Sequence, residues 1–174
     1  MKRACALALA AACTLPALAD DLIPTHLTGV WGTAESLYAG TTAQSELHVQ
    51  ADGFGVLAGS TAPLIETAGP NKGKPAGRVV LGVPFRARLE GETLVVQPFN
   101  PDNPRDTGPS LRCRYEGAGP ALHCTGEGKE TPNMKRLSAS LDPRVAEGIQ
   151  EMSVKLRAYA GKASALRPTP VTRP

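Results

Sequence analysis

The stretch Phe85-Arg86-Ala87-Arg88-Leu89-Glu90-Gly91-Glu92-Thr93-Leu94-Val95-Val96-Gln97-Pro98 decides the fold. Phe85, Ala87 and Leu89 alternate with Arg86 and Arg88, and Leu94, Val96 and Pro98 return on the far side of a turn. A period of two marks a strand with one buried face, and Gly91-Glu92 supplies a two-residue hairpin loop. Closing on that loop pairs Leu89 with Leu94 and Ala87 with Val96. A slip by one residue would invert the whole apolar set, so the register is strongly specified.

Two more hairpins flank this one. Downstream, Leu111, Cys113 and Tyr115 lead into Gly117-Ala118-Gly119-Pro120, and Leu122 and Cys124 lead out. Pro120 has no N–H to complete a tight closing pair, so a four-residue loop closed by Glu116 and Ala121 is expected. Counting back from that pair sets Cys113 opposite Cys124 in a non-hydrogen-bonded pair, where side chains approach most closely and a structural disulfide fits. Arg112, Arg114 and His123 then form an outward cationic patch. Upstream, Leu47, Val49 and Ala51 precede Asp52-Gly53, and Phe54 and Val56 follow. Read as a two-residue loop, this pairs Ala51 with Phe54, Val49 with Val56 and Leu47 with Ala58, turning Phe54 inward and His48 outward.

Further extended segments are expected at Gly29 to Tyr38, Arg78 to Leu81 and Asn133 to Ala139. Gly82 and Pro84 predict a bulge or bend in the fourth strand. Residues 60–77 and 100–109, rich in Pro, Gly and Asn, read as loops. At Asp142 the period changes: Asp142 is a good N-cap, Pro143 suits the first helical position, and Val145, Ile149, Met152 and Leu156 recur at helical spacing. The fold class expected is mainly β, an antiparallel up-and-down barrel or strongly curved sheet of about eight strands with one C-terminal α-helix.

The N-terminus reads differently. Lys2 and Arg3 precede an unbroken run of Ala, Leu and Cys from Ala4 to Cys13, and Ala17-Leu18-Ala19 offers a signal-peptidase site. The expected organisation is a signal peptide over 1–19, the β domain over 20–141, an amphipathic helix over 142–167 and a flexible tail over 168–174. The protein is then periplasmic or secreted, and its two remaining cysteines sit where disulfides persist. Ala10-Ala11-Ala12-Cys13 offers a lipidation box as the alternative, but it lacks a Leu three residues before Cys13. No stretch is long enough for a transmembrane helix.

Nineteen basic residues face 16 acidic ones in the 174-residue chain, and removing Lys2 and Arg3 brings them close to balance. That argues against nucleic-acid binding. From Lys155 onward there is no acid, so the helix and tail read as a basic solvated face, with contact to an anionic surface as the alternative. No catalytic or cofactor motif is present. His26, His48 and His123 are scattered, and Asp102, Asn103 and Asp106 lack the ligand spacing of calcium loops. Neither a metal, a cofactor nor an enzymatic activity is expected.

Eight antiparallel strands followed by a helix in an exported chain resemble the lipocalin and wider calycin superfamily. Gly29-Val30-Trp31 is similar to that family's Gly-x-Trp at the start of the first strand, although its Thr-Asp-Tyr type motif is absent. The resemblance implies that Trp31 packs at the closed end of the barrel beneath Arg136, from the last strand before the helix. It also implies carriage of a small apolar ligand, with Trp31, Phe54, Phe85 and Tyr115 as the aromatic lining. The other expectation is an interaction module of the envelope, an inhibitor or accessory subunit whose partner is a protein.

Overall fold

The computed structural model describes residues 22–103 and 105–165, with side chains to Tyr159. The proposed signal peptide, Cys13 and the tail over 168–174 lie outside the described residues. Nine strands are present among the described residues: β1 (Gly29–Gly32), β2 (Gln44–Val49), β3 (Phe54–Ser60), β4 (Val80–Glu90), β5 (Thr93–Pro98), β6 (Leu111–Glu116), β7 (Ala121–Gly126), β8 (Lys129–Glu130) and β9 (Met134–Ser138). One helix, α1 (Pro143–Ala165), follows them. Each strand pairs antiparallel with its neighbours, and β9 bonds to both β7 and β1, so eight strands close into an up-and-down barrel with β8 as a stub beside β7. No helix among the described residues is long and apolar enough to cross a membrane.

The second and third hairpins have the expected registers. Leu89 faces Leu94 and Ala87 faces Val96, with Glu90 and Thr93 closing the turn. Glu116 and Ala121 close the third, and Cys113 lies opposite Cys124 with a Cα–Cα distance of 4.0 Å and a disulfide between them. Asp142 caps α1 as expected, its Oδ1 accepting from Arg144 N at 2.9 Å.

The first hairpin departs by one residue. Gln50 N donates to Phe54 O at 2.9 Å, leaving a three-residue loop, Ala51-Asp52-Gly53, with Gly53 left-handed at φ 79°. Leu47 therefore faces Leu57, and Val49 faces Gly55. Phe54, Val56 and Ala58 move to the outer face, and Ala51 stays in the exposed turn. Two contacts fix this choice. Inside, the Phe85 ring lies so close to Gly55 that an added Cβ would meet its Cζ at 2.2 Å. Outside, Phe54 and Val56 pack against Val145, Ile149, Met152 and Leu156 of α1, which gives the helix its apolar seat.

Three other expectations are corrected. The first strand ends at Gly32, and residues 33–43 form a loop over the outer face, where Ser60 Oγ donates to Leu37 O at 2.6 Å. The fourth strand needs no bulge: β4 pairs with β3 from Val80 to Arg86 without a shift. Pro84 O accepts from Phe99 N at 3.0 Å, just beyond the last residue of β5, so the missing Pro84 N–H falls where that ladder ends. Residues 61–79 are no loose loop either. Thr61 N donates to Val79 O, Leu64 N to Gly77 O and Ala76 N to Leu64 O, so β3 and β4 continue past the barrel as a narrow two-stranded arm.

Candidate functional site

The barrel is sealed at one end and open at the other. At the sealed end, residues 23–28 cross beneath the strands, and Trp31 Nε1 donates to Leu27 O at 3.0 Å. Trp31 and Arg136 are cross-strand partners on β1 and β9. The Arg136 guanidinium stands over the indole at 5.7 Å from the ring centroid, and its Nη2 donates to Thr25 O and Thr28 O. Trp31, Leu47, Phe85, Leu94 and Leu122 are fully buried and fill the lower barrel with the disulfide. An eight-stranded barrel is narrow enough for side chains to do this.

The open end differs because the strands have unequal lengths. β4 spans 11 residues where β5 spans six, so the top of β4 rises past β5 on one side while β3 stays paired with it up to Val80 on the other. The residues that would continue the inward row above Phe85 are Val83, Leu81 and Val79. They are 43 %, 69 % and 46 % exposed, although each points to the concave side. With Leu57, Gly59, Ser45 and Ala43 they line a cleft of about 480 Å³ at the mouth of the barrel. No charged side chain among the described residues lines it. Its polar groups are the hydroxyls of Ser45, Ser60 and Thr61, of which Ser60 is tied to Leu37 and Thr61 Oγ1 accepts from Val79 N.

Arg78 makes this mouth rigid. Its guanidinium donates to the carbonyls of Thr42, Thr61, Ala39 and Gly40, clamping the base of the arm to the 33–43 loop. A planar fork with five donors suits such a cluster of carbonyls.

The four aromatic residues expected to line a ligand cavity do not converge. Trp31 and Phe85 belong to the packed floor. Tyr115 sits at the sealed end, edge-on to Trp31 and tilted against His26 with centroids 5.0 Å apart. Phe54 is outside the barrel, beneath α1 and between the guanidinium groups of Arg86 and Arg157. Val79, Leu81 and Val83 were the missed site residues. Their alternation with Val80, Gly82 and Pro84 is the signal that finds them, once Gly82 and Pro84 are allowed inside a strand. His48 faces outward as expected, where its Nε2 meets Glu46 Oε2 at 3.0 Å.

No known protein family, curated protein or solved structure matches the chain.

Proposed function

We propose that this is an exported, lipocalin-like barrel that holds a small apolar molecule in its mouth and performs no chemistry on it. One observation carries the reading: the inward-facing row of β4 stays apolar above the packed floor, but it is left open to solvent at Leu81 and Val83. An aliphatic row pointing into a barrel with Leu57 and Gly59 of β3 on one side and no β5 partner on the other is surface that a ligand would desolvate, at roughly 25 cal/mol per Å² of apolar area covered. The absence of any charged lining residue favours an uncharged or long-chain ligand whose polar end, if it has one, stays at the rim.

The test is a fluorescence titration with N-phenyl-1-naphthylamine, an uncharged apolar probe. Leu81→Glu should abolish the emission rise on binding, whereas Val154→Glu, at an exposed apolar position on α1, should leave it unchanged. Equal responses from the wild type and both variants would overturn the reading.

A protein partner is the second reading, and the arm favours it. Leu64 and Ile65 are about half exposed and stand on opposite faces of the ribbon beyond the mouth. Under that reading Ile65→Asp, and not Leu81→Glu, disrupts function in the host.

A further inference from the structure

The outer wall of the third hairpin carries a second cleft, of about 510 Å³, far from the apolar mouth in chemistry. Its floor is a lattice of outward side chains fixed by register. Thr93, Arg114 and His123 are successive cross-strand partners on β5, β6 and β7, and Arg112, Thr125 and Glu130 form the adjacent row across β6, β7 and β8. Neighbours within such a row stand about 5 Å apart.

The wall is built by a tight reversal. Glu127 and Gly128 both have positive φ, 51° and 75°, a two-residue turn that folds β8 back along β7. Thr131 then anchors the returning chain, donating from its N and its Oγ1 to Cys124 O at 2.9 and 3.1 Å. Glu130, Thr131 and Asn133 rise beside the floor as a result. Beneath them the Cys113–Cys124 disulfide pins β6 to β7, which fixes the backbone positions from which Arg114 and His123 project.

The charges in this cleft are unevenly matched. Glu90 is shared between Arg88 at 2.6 Å and Arg112 at 2.8 Å, and His123 meets Glu116 at 2.7 Å. The Arg114 side chain makes no hydrogen bond or ion pair among the described residues. It nonetheless has His123 directly opposite and Arg112 two residues before it on the same face. Glu90 and Glu116 answer Arg112 and His123, and the Glu130 carboxylate lines the cleft one row away, so Arg114 is the cation here left without an ion pair among the described residues.

We infer that this cleft is an oxyanion site: Arg114 and His123 bind the charged group of a phosphorylated or carboxylated ligand, and the hydroxyls of Thr93 and Thr125 with the Asn133 amide complete its hydrogen bonds. An arginine fork matches the paired oxygens of either group. The site does not depend on the apolar mouth, and each stands or falls by its own titration.

The experiment follows the His123 imidazole and the Arg114 and Thr125 amide resonances by NMR as inorganic phosphate is added to the exported protein, with sodium chloride adjusted to constant ionic strength. A parallel arm uses acetate, which separates a phosphoryl preference from a carboxylate one. Saturable shifts are expected in at least one arm. Arg114→Gln should weaken binding about tenfold, the loss expected for one charge-assisted contact. Arg88→Gln removes the same charge from β4, two strands away, and should change it less than about twofold. Shifts that fail to saturate in both arms, or equal weakening by the two variants, would overturn the site.

Discussion

Arg136 closes the barrel by holding the indole of Trp31 and the backbone of residues 25–28 at once. Its guanidinium lies over the ring, and its Nη2 donates to Thr28 O at 2.9 Å and Thr25 O at 3.0 Å. The segment that plugs the barrel is thereby tied to β9, the strand that completes the cylinder. Arg136→Met keeps much of the apolar stem but leaves two carbonyls without their donor. A loss of about 1 to 3 kcal/mol is expected in denaturant titration. Arg136→Lys should recover only part of it, because a point charge cannot cover the ring and reach both carbonyls together. Full recovery by lysine would mean that charge alone seals this end.

Register in the first hairpin gives the second prediction. Gly55 faces inward against Phe85 Cζ and His48 O, both 2.2 Å from where a Cβ would stand. Gly55→Ala should therefore destabilise the fold by about 1 to 3 kcal/mol or more, since neither the backbone oxygen nor a fully buried ring can yield. Gly69, where an added Cβ would meet nothing within 4 Å, serves as the neutral comparison only for crowding, because its φ is 76°. Gly77→Ala, in open space with an ordinary φ, should cost almost nothing. Thermal melts of the two alanine variants decide whether this register holds.

The same hairpin shows what a sequence can and cannot disclose. The second and third hairpins were legible because each has one apolar and one charged face, Ala87 and Leu89 against Arg86 and Arg88, and Cys113 against Arg112 and Arg114. Pattern and turn then agree on a single register. In the first hairpin both faces are covered, the inner by the core and the outer by α1, so Leu47 and Val49 are apolar and so are Phe54 and Val56. Asp52-Gly53 admits either loop length, and alternation could not break the tie. The mouth was hidden for another reason. Val79, Leu81 and Val83 have the strand period, but Gly82 and Pro84 read as breakers until the end of β5 shows that the missing Pro84 N–H falls where that ladder stops.

Covalent form is the third prediction. If the chain is exported as proposed, its intact mass should start at Asp20 and lie two hydrogens below the reduced value, with the Cys113–Cys124 bridge as the cause. Reduction should lower stability by about 3 kcal/mol on the loop-entropy scale. A free thiol, or a lipid on Cys13, would contradict it.

Glu90 gives a pH signature. The Arg112 and Arg88 guanidiniums hydrogen-bond its carboxylate and hold its pKa below the ordinary glutamate value. A depressed folded-state pKa means that the contribution to stability is present above the unfolded-state pKa and is lost as pH falls through the folded one. The carboxyl is exposed, so the effect is small and weakens with salt. Carboxyl NMR titration should find Glu90 protonating below the ordinary glutamate range. Arg112→Gln should move its midpoint back up, and an unmoved midpoint would assign the depression to something else.

Filling the mouth separates ligand binding from folding. Gly59 faces the cleft on the inner side of β3, its φ is not left-handed, and an added Cβ would find only Gln44 O, 3.9 Å away. Gly59→Leu should thus insert an aliphatic chain against Leu57 and Leu81 with little strain, leaving thermal stability equal to or slightly above that of the wild type. If an apolar molecule occupies this space, the same change should weaken binding of N-phenyl-1-naphthylamine by about tenfold or more, since roughly 1.4 kcal/mol accounts for each factor of ten. Phe54→Ala provides the opposite pattern. It removes the ring on which α1 rests and should cost about 3 to 5 kcal/mol, yet in the fraction that stays folded the probe should bind as before, because Phe54 lies outside the barrel. A Gly59→Leu protein that folds and still binds the probe like the wild type would place the ligand elsewhere than the mouth.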